Sequence, residues 1–387
     1  MDHYSLHAAI SLAPGHPEQA AACAVCGNNH PFEFPPDLVD AALAGDLVVF
    51  AGAGVSTEAR VVGEATLYDR IAGELELTDS ELTFPSLMSA YVTKHGRRQL
   101  LQRVRERLEY IAAHPELWHF ATRFHHALAT AFFLRNVVTT NWDTYFEDVC
   151  AAIPIVVPPD YAFWEMPGRK VFKLHGSMHN LGTIVATEAD YNGCYRRLRS
   201  GLIGSTFKHM LATRRMVFIG YSFRDPDLTR ILSYLKRELA GVLPQSWLVS
   251  PHGAATRDFP TERIIATDGT YFIHKLKEVA VERGVMRPDS AYFRTFELAD
   301  RLSTARKRLH GTDLRRQPAA VHAMVYQDGL GHALERIGRM IPSGDYSDPH
   351  RTYHLMRSYE MALTGAVRKR HYIQASYIEG YLTDSYR

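Results

Sequence analysis

Cysteine is scarce in this chain: Cys23, Cys26, Cys150 and Cys194 are the only four among 387 residues. So few cannot staple a chain of this length, which excludes a disulfide framework and points to a reducing compartment. Long apolar runs are missing too. None approaches the roughly 20 residues that a membrane helix requires, so no membrane span is expected. Charge of one sign is not in excess either, since 44 Lys and Arg against 42 Asp and Glu leave a net charge of +2. Nothing global marks a nucleic-acid binder. The opening residues carry an acid at Asp2 and no basic stretch, unlike a secretory signal. A cytoplasmic location is therefore expected. Fixed-period repeats and low-complexity segments are also lacking.

The composition that remains is that of an ordinary globular protein, 46% hydrophobic and 22% charged. The length suits two domains. Residues 1–36 read as an irregular arm. Cys23 and Cys26, with His30 nearby, have the spacing of half a zinc site. A structural zinc usually takes four ligands, and Cys150 and Cys194 lie far away, so no metal is expected. Residues 37–45 read as a short helix closed by Gly45. The apolar strand Val48–Ala51 then runs into Gly52-Ala53-Gly54-Val55-Ser56. A strand, a Gly-rich turn and a helix start can cradle a diphosphate, because glycine lets the backbone approach and a helix N-terminus offers free N–H groups. The stretch is neither GxGxxG nor a lysine-bearing phosphate loop, and a plain tight turn reads equally well at this point.

Leu67, Ile71 and Leu75 share a helix face, and the helical pattern continues to residue 134. Residues 65–134 thus read as a helical insertion. His125 and His126 within it point to different helix faces and cannot jointly chelate a metal; surface and groove positions are expected. Strands are expected at Asn136–Thr140, Ile153–Val157, Lys170–Leu174, Met216–Ile219 and Gln245–Val249. Gly182–Ala186 reads as a further extended stretch, and Thr270–Leu276 as a segment closing the domain. Near-continuous apolar strands alternating with helices predict a Rossmann-like α/β fold: a parallel sheet covered by helices on both faces. In such sheets a ligand lies beyond the strand carboxyl ends. There the chain carries Gly52–Ser56, Asn141–Asp143, His175–Ser177 and Gly220–Ser222, which can converge on one crevice. From residue 288 to 387 only helices are expected: Ala291–Leu309, Ala319–Met340 and Arg351–Tyr381. The basic run Arg368-Lys369-Arg370-His371 reads as a solvated helix face.

The strand-end motifs together resemble the sirtuin (Sir2) family. They are Gly52-Ala53-Gly54-Val55-Ser56, Thr139-Thr140-Asn141-Trp142-Asp143, Lys173-Leu174-His175-Gly176-Ser177 and Gly220-Tyr221-Ser222-Phe223, in the family's order. The resemblance implies an NAD-binding domain over 37–287. Gly52, Ala53, Gly54, Ser56, Thr140, Gly220 and Ser222 are then the expected NAD-binding set, with Gly220 and Ser222 toward the adenosine. Asn141 and Asp143 would hold the nicotinamide–ribose end, and His175 would be the catalytic base. Read from the residues alone, other roles stay open. His175 can be a satisfied histidine, Asn141 a turn residue and Asp143 a cap for the helix starting near Tyr145.

Two departures shape the expected activity. Thr57–Glu64 lacks the GIPDFR-type loop of many sirtuin deacetylases. Only Cys194 lies between His175 and Gly220, where those enzymes carry two zinc-binding CxxC pairs. The chain therefore looks more like the Sir2-like NAD hydrolases of bacterial antiphage defence. That likeness implies cleavage of the nicotinamide–ribose bond, with NAD as substrate and no metal. It also implies a partner such as a HerA-type ATPase or a short Argonaute, the helical C-terminus fitting the first. A homo-oligomer is expected from the helical C-terminal segment. The alternatives are an NAD-dependent protein deacylase and a non-catalytic module that senses NAD or ADP-ribose.

Overall fold

The computed structural model describes residues 32–59, 62–63, 65–77, 82–221, 226–238, 243–251, 263–309 and 311–383. The cysteine pair of the N-terminal arm, Ser222, and the loop beyond Pro251 lie outside these residues.

The elements run α1 (Pro36–Leu43), β1 (Leu47–Ala51), α2 (Leu67–Glu74), α3 (Phe84–His95), α4 (Arg97–Ala113), α5 (Pro115–Ala129), β2 (Asn136–Thr139), α6 (Tyr145–Cys150) and β3 (Ile153–Ile155). They continue with β4 (Lys170–Lys173), α7 (Glu188–Ser200), α8 (Leu202–Thr213), β5 (Arg215–Ile219), α9 (Pro226–Glu238), β6 (Ser246–Val249) and β7 (Ile264–Ile265). The chain then forms α10 (Gly269–Glu282), α11 (Ser290–Leu309), α12 (Ala320–Met340), α13 (Pro349–Arg368) and α14 (Tyr372–Thr383). Among the described residues two compact units form. One takes 32–128 and 133–276, the other 129–132 and 277–383.

The first unit holds a seven-stranded sheet of order β3-β4-β2-β1-β5-β6-β7, parallel throughout. Every residue of β1 is buried, as befits a central strand covered on both faces. Val48, Phe50, Val138, Phe172, Met216 and Phe218 form one face, packed with Cys194 and Leu198 of α7, Phe207 and Met210 of α8 and Ile231 of α9. On the other face Gly269 of α10 approaches Ile219 and Phe124 so closely that a Cβ there would stand 2.3 Å from the isoleucine. From β1 the chain builds β2, β3 and β4 on one side, then returns for β5 on the other. This reversal puts the topological switch point between β1 and β5, where open α/β sheets bind ligands.

The insertion is helical, as read. Leu67, Ile71, Leu87, Met88, Tyr91 and Val104 of α2–α4 pack with Ile184, Ala186, Trp142 and Met178, which lie in the loops after β2 and β4. The helical insertion thus rests on the loops that carry the strand-end motifs. A capping box starts α2, with the Thr66 amide donating to Asp69 and the Asp69 amide donating back to Thr66.

Three sequence readings are corrected. Thr270–Leu276, read as a segment closing the domain, is helix, because Phe272, Ile273, Leu276 and Ala280 turn one fully buried face inward; the last strand is not Gln245–Val249 but the two-residue β7. Gly182–Ala186 pairs with no strand: after one 3-10 turn, the Val185 amide donates to the His175 carbonyl at 3.0 Å. The segment read as one helix over 351–381 is two, α13 and α14.

In the second unit α12 and α14 cross at their glycines. A Cβ on Gly329 would lie 2.0 Å from the Tyr377 carbonyl oxygen, and one on Gly380 2.0 Å from that of Tyr326. Only glycine permits this reciprocal approach. No described helix is long and apolar enough to cross a membrane.

Candidate active site

The turn after β1 is built by backbone contact with the end of β5. The Gly52 amide donates to Ile219 O at 2.9 Å, and the Gly54 amide to Gly220 O at 3.0 Å. A Cβ on Gly52 would stand 2.4 Å from Gly220 O. Gly220, at φ +63°, would carry its own Cβ 2.6 Å from the Val55 amide. The glycines are thus required by the junction of two strand ends at the switch point, whatever else they bind. The expected helix start is one 3-10 turn, Ala53–Val55, and the next helix begins only at Leu67. A helix dipole therefore adds little at this turn. Ala53 and Gly54 remain partly open to solvent, as do Thr140 and Gly220.

Ser56, Asn141, Asp143 and His175 are all buried, and the first three form one hydrogen-bonded chain. Asn141 Nδ2 donates to Gly52 O at 3.2 Å and to Ser56 Oγ at 3.1 Å. Ser56 Oγ donates in turn to Asp143 Oδ2 at 3.0 Å. Gly52 O only accepts, which fixes the amide nitrogen on that side. The opposite atom, Asn141 Oδ1, is buried with no hydrogen-bond partner. A buried acceptor left alone costs about 1–3 kcal/mol, which a ligand donor would return. Thr139 supports the same loop. Its hydroxyl donates to Ala51 O at 2.8 Å and accepts from the Asn141 amide at 3.0 Å.

Asp143 also accepts from the Tyr145 amide at 3.3 Å, so it serves the start of α6 as the capping reading expected. Beneath it, the wholly buried Lys173 ammonium donates to the Asp143 carbonyl and to Glu147 Oε1, the latter at 2.8 Å. Burial pushes the Asp143 carboxyl above its ordinary value, against the pull of Lys173 and the Ser56 hydroxyl. Glu147 is raised by burial in the same way and opposed by the same lysine.

His175 follows β4 on the strand that carries Lys173. Its ring meets Tyr191 edge-on, with centroids 4.9 Å apart. Gly176 then turns at φ +87°, and a Cβ there would stand 2.2 Å from Thr183 O, so the turn admits only glycine. The Ser177 amide donates to Thr183 Oγ1 at 3.1 Å and closes the loop.

The structure therefore brings Gly52, Ala53, Gly54, Ser56, Thr140, Asn141, Asp143, His175 and Gly220 to the carboxyl ends of β1, β2, β4 and β5. Ser222 lies outside the described residues. Sequence reasoning passed over Lys173, Glu147 and Arg107. The signal for the first was a lysine at each end of the short strand Lys170-Val171-Phe172-Lys173, since a buried charge needs a partner. Arg107 of α4 donates to Thr57 O at 2.7 Å and Ala65 O at 3.1 Å, holding both ends of the segment after the glycine turn. His125, expected at a surface or groove, is fully buried against Phe146 instead, and burial lowers it to about 3. No group of three or more potential metal ligands occurs among the described residues.

Residues 135–273 match the family of the SIR2-like domain. This stretch holds the β2, β4 and β5 motifs. The chain is also similar to proteins named NAD(+) hydrolase ThsA. It is 30% identical to that of Cytobacillus dafuensis over 49% of this chain and 37% of the relative. It is 26% identical to that of Enterococcus faecium over 50% of this chain and 40% of the relative. For Bacillus cereus strain MSX-D12 the identity is 24%, over 52% and 42%. The chain thus matches well under half the length of these curated relatives.

Proposed function

We propose that this chain is an NAD(+) hydrolase that cleaves the nicotinamide–ribose bond, giving ADP-ribose and nicotinamide. The supporting observation is Asn141, locked by Gly52 and Ser56 at the switch point, with an unpartnered buried acceptor and His175 on a neighbouring strand end. The SIR2-like match and the names of the relatives support the same reading.

In this proposal Ala53 and Gly54 line the diphosphate, Thr140 lies by the ribose, and Gly220, with Ser222, lies toward the adenosine. Asn141 Oδ1 accepts from a ribose hydroxyl or from the attacking water. The C–N bond breaks with its electron pair leaving on nicotinamide, and positive charge develops on the ribose. Asp143, its oxygens already engaged by Ser56 and the Tyr145 amide, stabilises that charge through space. His175 accepts the proton of the water that adds to the ribose carbon; a neutral imidazole suits that role near neutral pH. One water is consumed and one proton released, and the protein's part requires no metal.

The biological role that follows is NAD depletion as an antiphage defence effector. A HerA-type ATPase partner, or a short Argonaute, is carried over from the resemblance into the same proposal, and a homo-oligomer is added to it from the helical C-terminal segment.

The test is chromatographic measurement of NAD, nicotinamide and ADP-ribose with the purified chain. Turnover is expected, and Asn141→Ala or His175→Ala should lower kcat by roughly 10³-fold with folding retained. Full activity in both variants would sink the residue roles. Tight NAD binding without turnover would replace the hydrolase by a sensing module.

A further inference from the structure

Lys173 is the largest charged side chain that the structure buries completely, and no role in ligand contact accounts for it. Taking an ammonium out of water is costly, and one carboxylate partner only partly offsets that cost. Its surroundings show what it holds. It bonds the Asp143 carbonyl and the Glu147 carboxylate, and it ends β4 two residues before His175.

We propose that Lys173 is a positioning residue that keeps the Asp143 carboxyl an acceptor, so that a one-way hydrogen-bond relay fixes the orientation of Asn141. This deepens the hydrolase reading and rests on it. The relay runs from the Asn141 amide nitrogen to Ser56 Oγ, and from the Ser56 hydroxyl to Asp143 Oδ2. Each hydroxyl has one proton. While Asp143 is ionised it can only accept, so Ser56 must donate to it and must accept from Asn141. Asn141 Oδ1 then faces away from the relay as the acceptor for substrate. If Asp143 takes a proton, it can donate to Ser56. The Ser56 proton then turns toward Asn141 Nδ2, itself a donor, so the bond between them is lost and Gly52 O alone holds the carboxamide.

The groups facing Asp143 are the Lys173 ammonium from β4, Tyr145 and Glu147 from α6, and the Ser56 hydroxyl. Lys173 is the cation that acts on the Asp143 carboxylate, against burial and the second carboxylate. Neutralising Glu147 along with it leaves no unpaired carboxylate at Glu147, so the cation is withdrawn from Asp143 alone.

The experiment compares wild type with the double variant Lys173→Met/Glu147→Gln. Folding is checked by circular dichroism, and NAD turnover and NAD affinity are followed from about pH 6 to pH 9. The relay predicts a folded double variant with kcat lowered roughly 30-fold near neutral pH. Its acid limb should be displaced to higher pH and activity should recover as the medium turns alkaline, with KM little changed. A folded double variant with wild-type kcat and a wild-type pH profile overturns the proposal and leaves the hydrolase reading standing.

If wild type binds NAD without turnover, the hydrolase reading falls and the relay, which acts on kcat, falls with it. If wild type neither binds nor cleaves NAD, both fall. Ser56→Ala probes the other end of the relay with no buried charge disturbed. A fall in kcat at nearly constant KM is expected, and a rise in KM at constant kcat overturns the proposal.

Discussion

The two compact units spend glycine and buried polarity in opposite ways. In the sheet unit Gly52, Gly54 and Gly220 bring two strand ends into backbone contact, and buried polar side chains gather around that junction. Ser56, Thr139, Asn141, Asp143, Lys173, His175 and Ser177 are all buried there. In the helical unit Gly329 and Gly380 bring two helices together. Buried polar side chains there bond within the unit: Tyr292 with Ser347 at 2.9 Å, Lys277 to Thr130 Oγ1 at 3.1 Å, and Thr352 to Asp348 O at 2.9 Å. A scaffold satisfies its buried polar groups, because an unsatisfied one is a net cost. The sheet unit leaves Asn141 Oδ1 without a partner at the place where α/β sheets take ligands. The contrast accords with the proposal that the sheet unit carries the chemistry.

Outside the catalytic side chains, the largest expected effect on turnover breaks the junction itself. Gly220→Ala puts a Cβ against the Val55 amide at a strained φ, and NAD turnover should fall by roughly 100-fold as the glycine turn shifts. Turnover within a factor of two of wild type would show that the junction does not position the site. Next is Gly380→Val, which should destabilise the chain by about 3 kcal/mol through overpacking at the helix crossing. Below its melting temperature the same variant should keep NAD turnover near the wild-type level; a collapse of kcat in the folded protein would remove the division of labour between the units.

A smaller effect is set by pH. The folded pKa of His125 is depressed to about 3 from an unfolded value of 6.5. Its contribution to stability is therefore complete above 6.5 and is lost as pH falls toward the folded value. His119 and His126 are depressed too and act in the same sense. Asp143 and Glu147, whose values are raised, act in the opposite one. Between about pH 6.5 and 4.5 His125 alone should cost about 2 kcal/mol. Denaturant melts of wild type and His125→Leu should diverge by that amount over the window, and parallel curves would refute it.

The smallest effect is a control within α4. Arg105 and Glu109 form an exposed pair at 2.7 Å, whereas Arg107, two residues on, is buried on the carbonyls of Thr57 and Ala65. Arg105→Ala should change stability by less than about 0.5 kcal/mol. A larger shift in the melt would mean that surface charge contributes more here than the buried network.

Much of the fold was legible because parallel strands covered on both faces must be continuously apolar. Val48–Ala51 and Met216–Ile219 could be little else. Thr270–Leu276 was left without a type because its aromatic and β-branched residues favour strands locally, while its burial follows the period of a helix. β7 was missed because two isoleucines leave no pattern. At the site, Asn141, Asp143 and His175 stood out as polar residues at strand ends. Their division of labour did not, since a residue type says nothing about which of its atoms is already bonded.

The sequence by itself determined the class of fold, the helical insertion and C-terminus, and the four motifs that meet beyond the strand ends. Periodicity and turn chemistry are local, so they survive in one dimension. Only the tertiary structure decided that the Gly-rich turn is held by Gly220 and that Ser56 and Asp143 face each other. The same is true of the buried Lys173 beneath them. Those pairings join residues 30 to more than 80 positions apart, and such contacts exist only once the strands lie side by side.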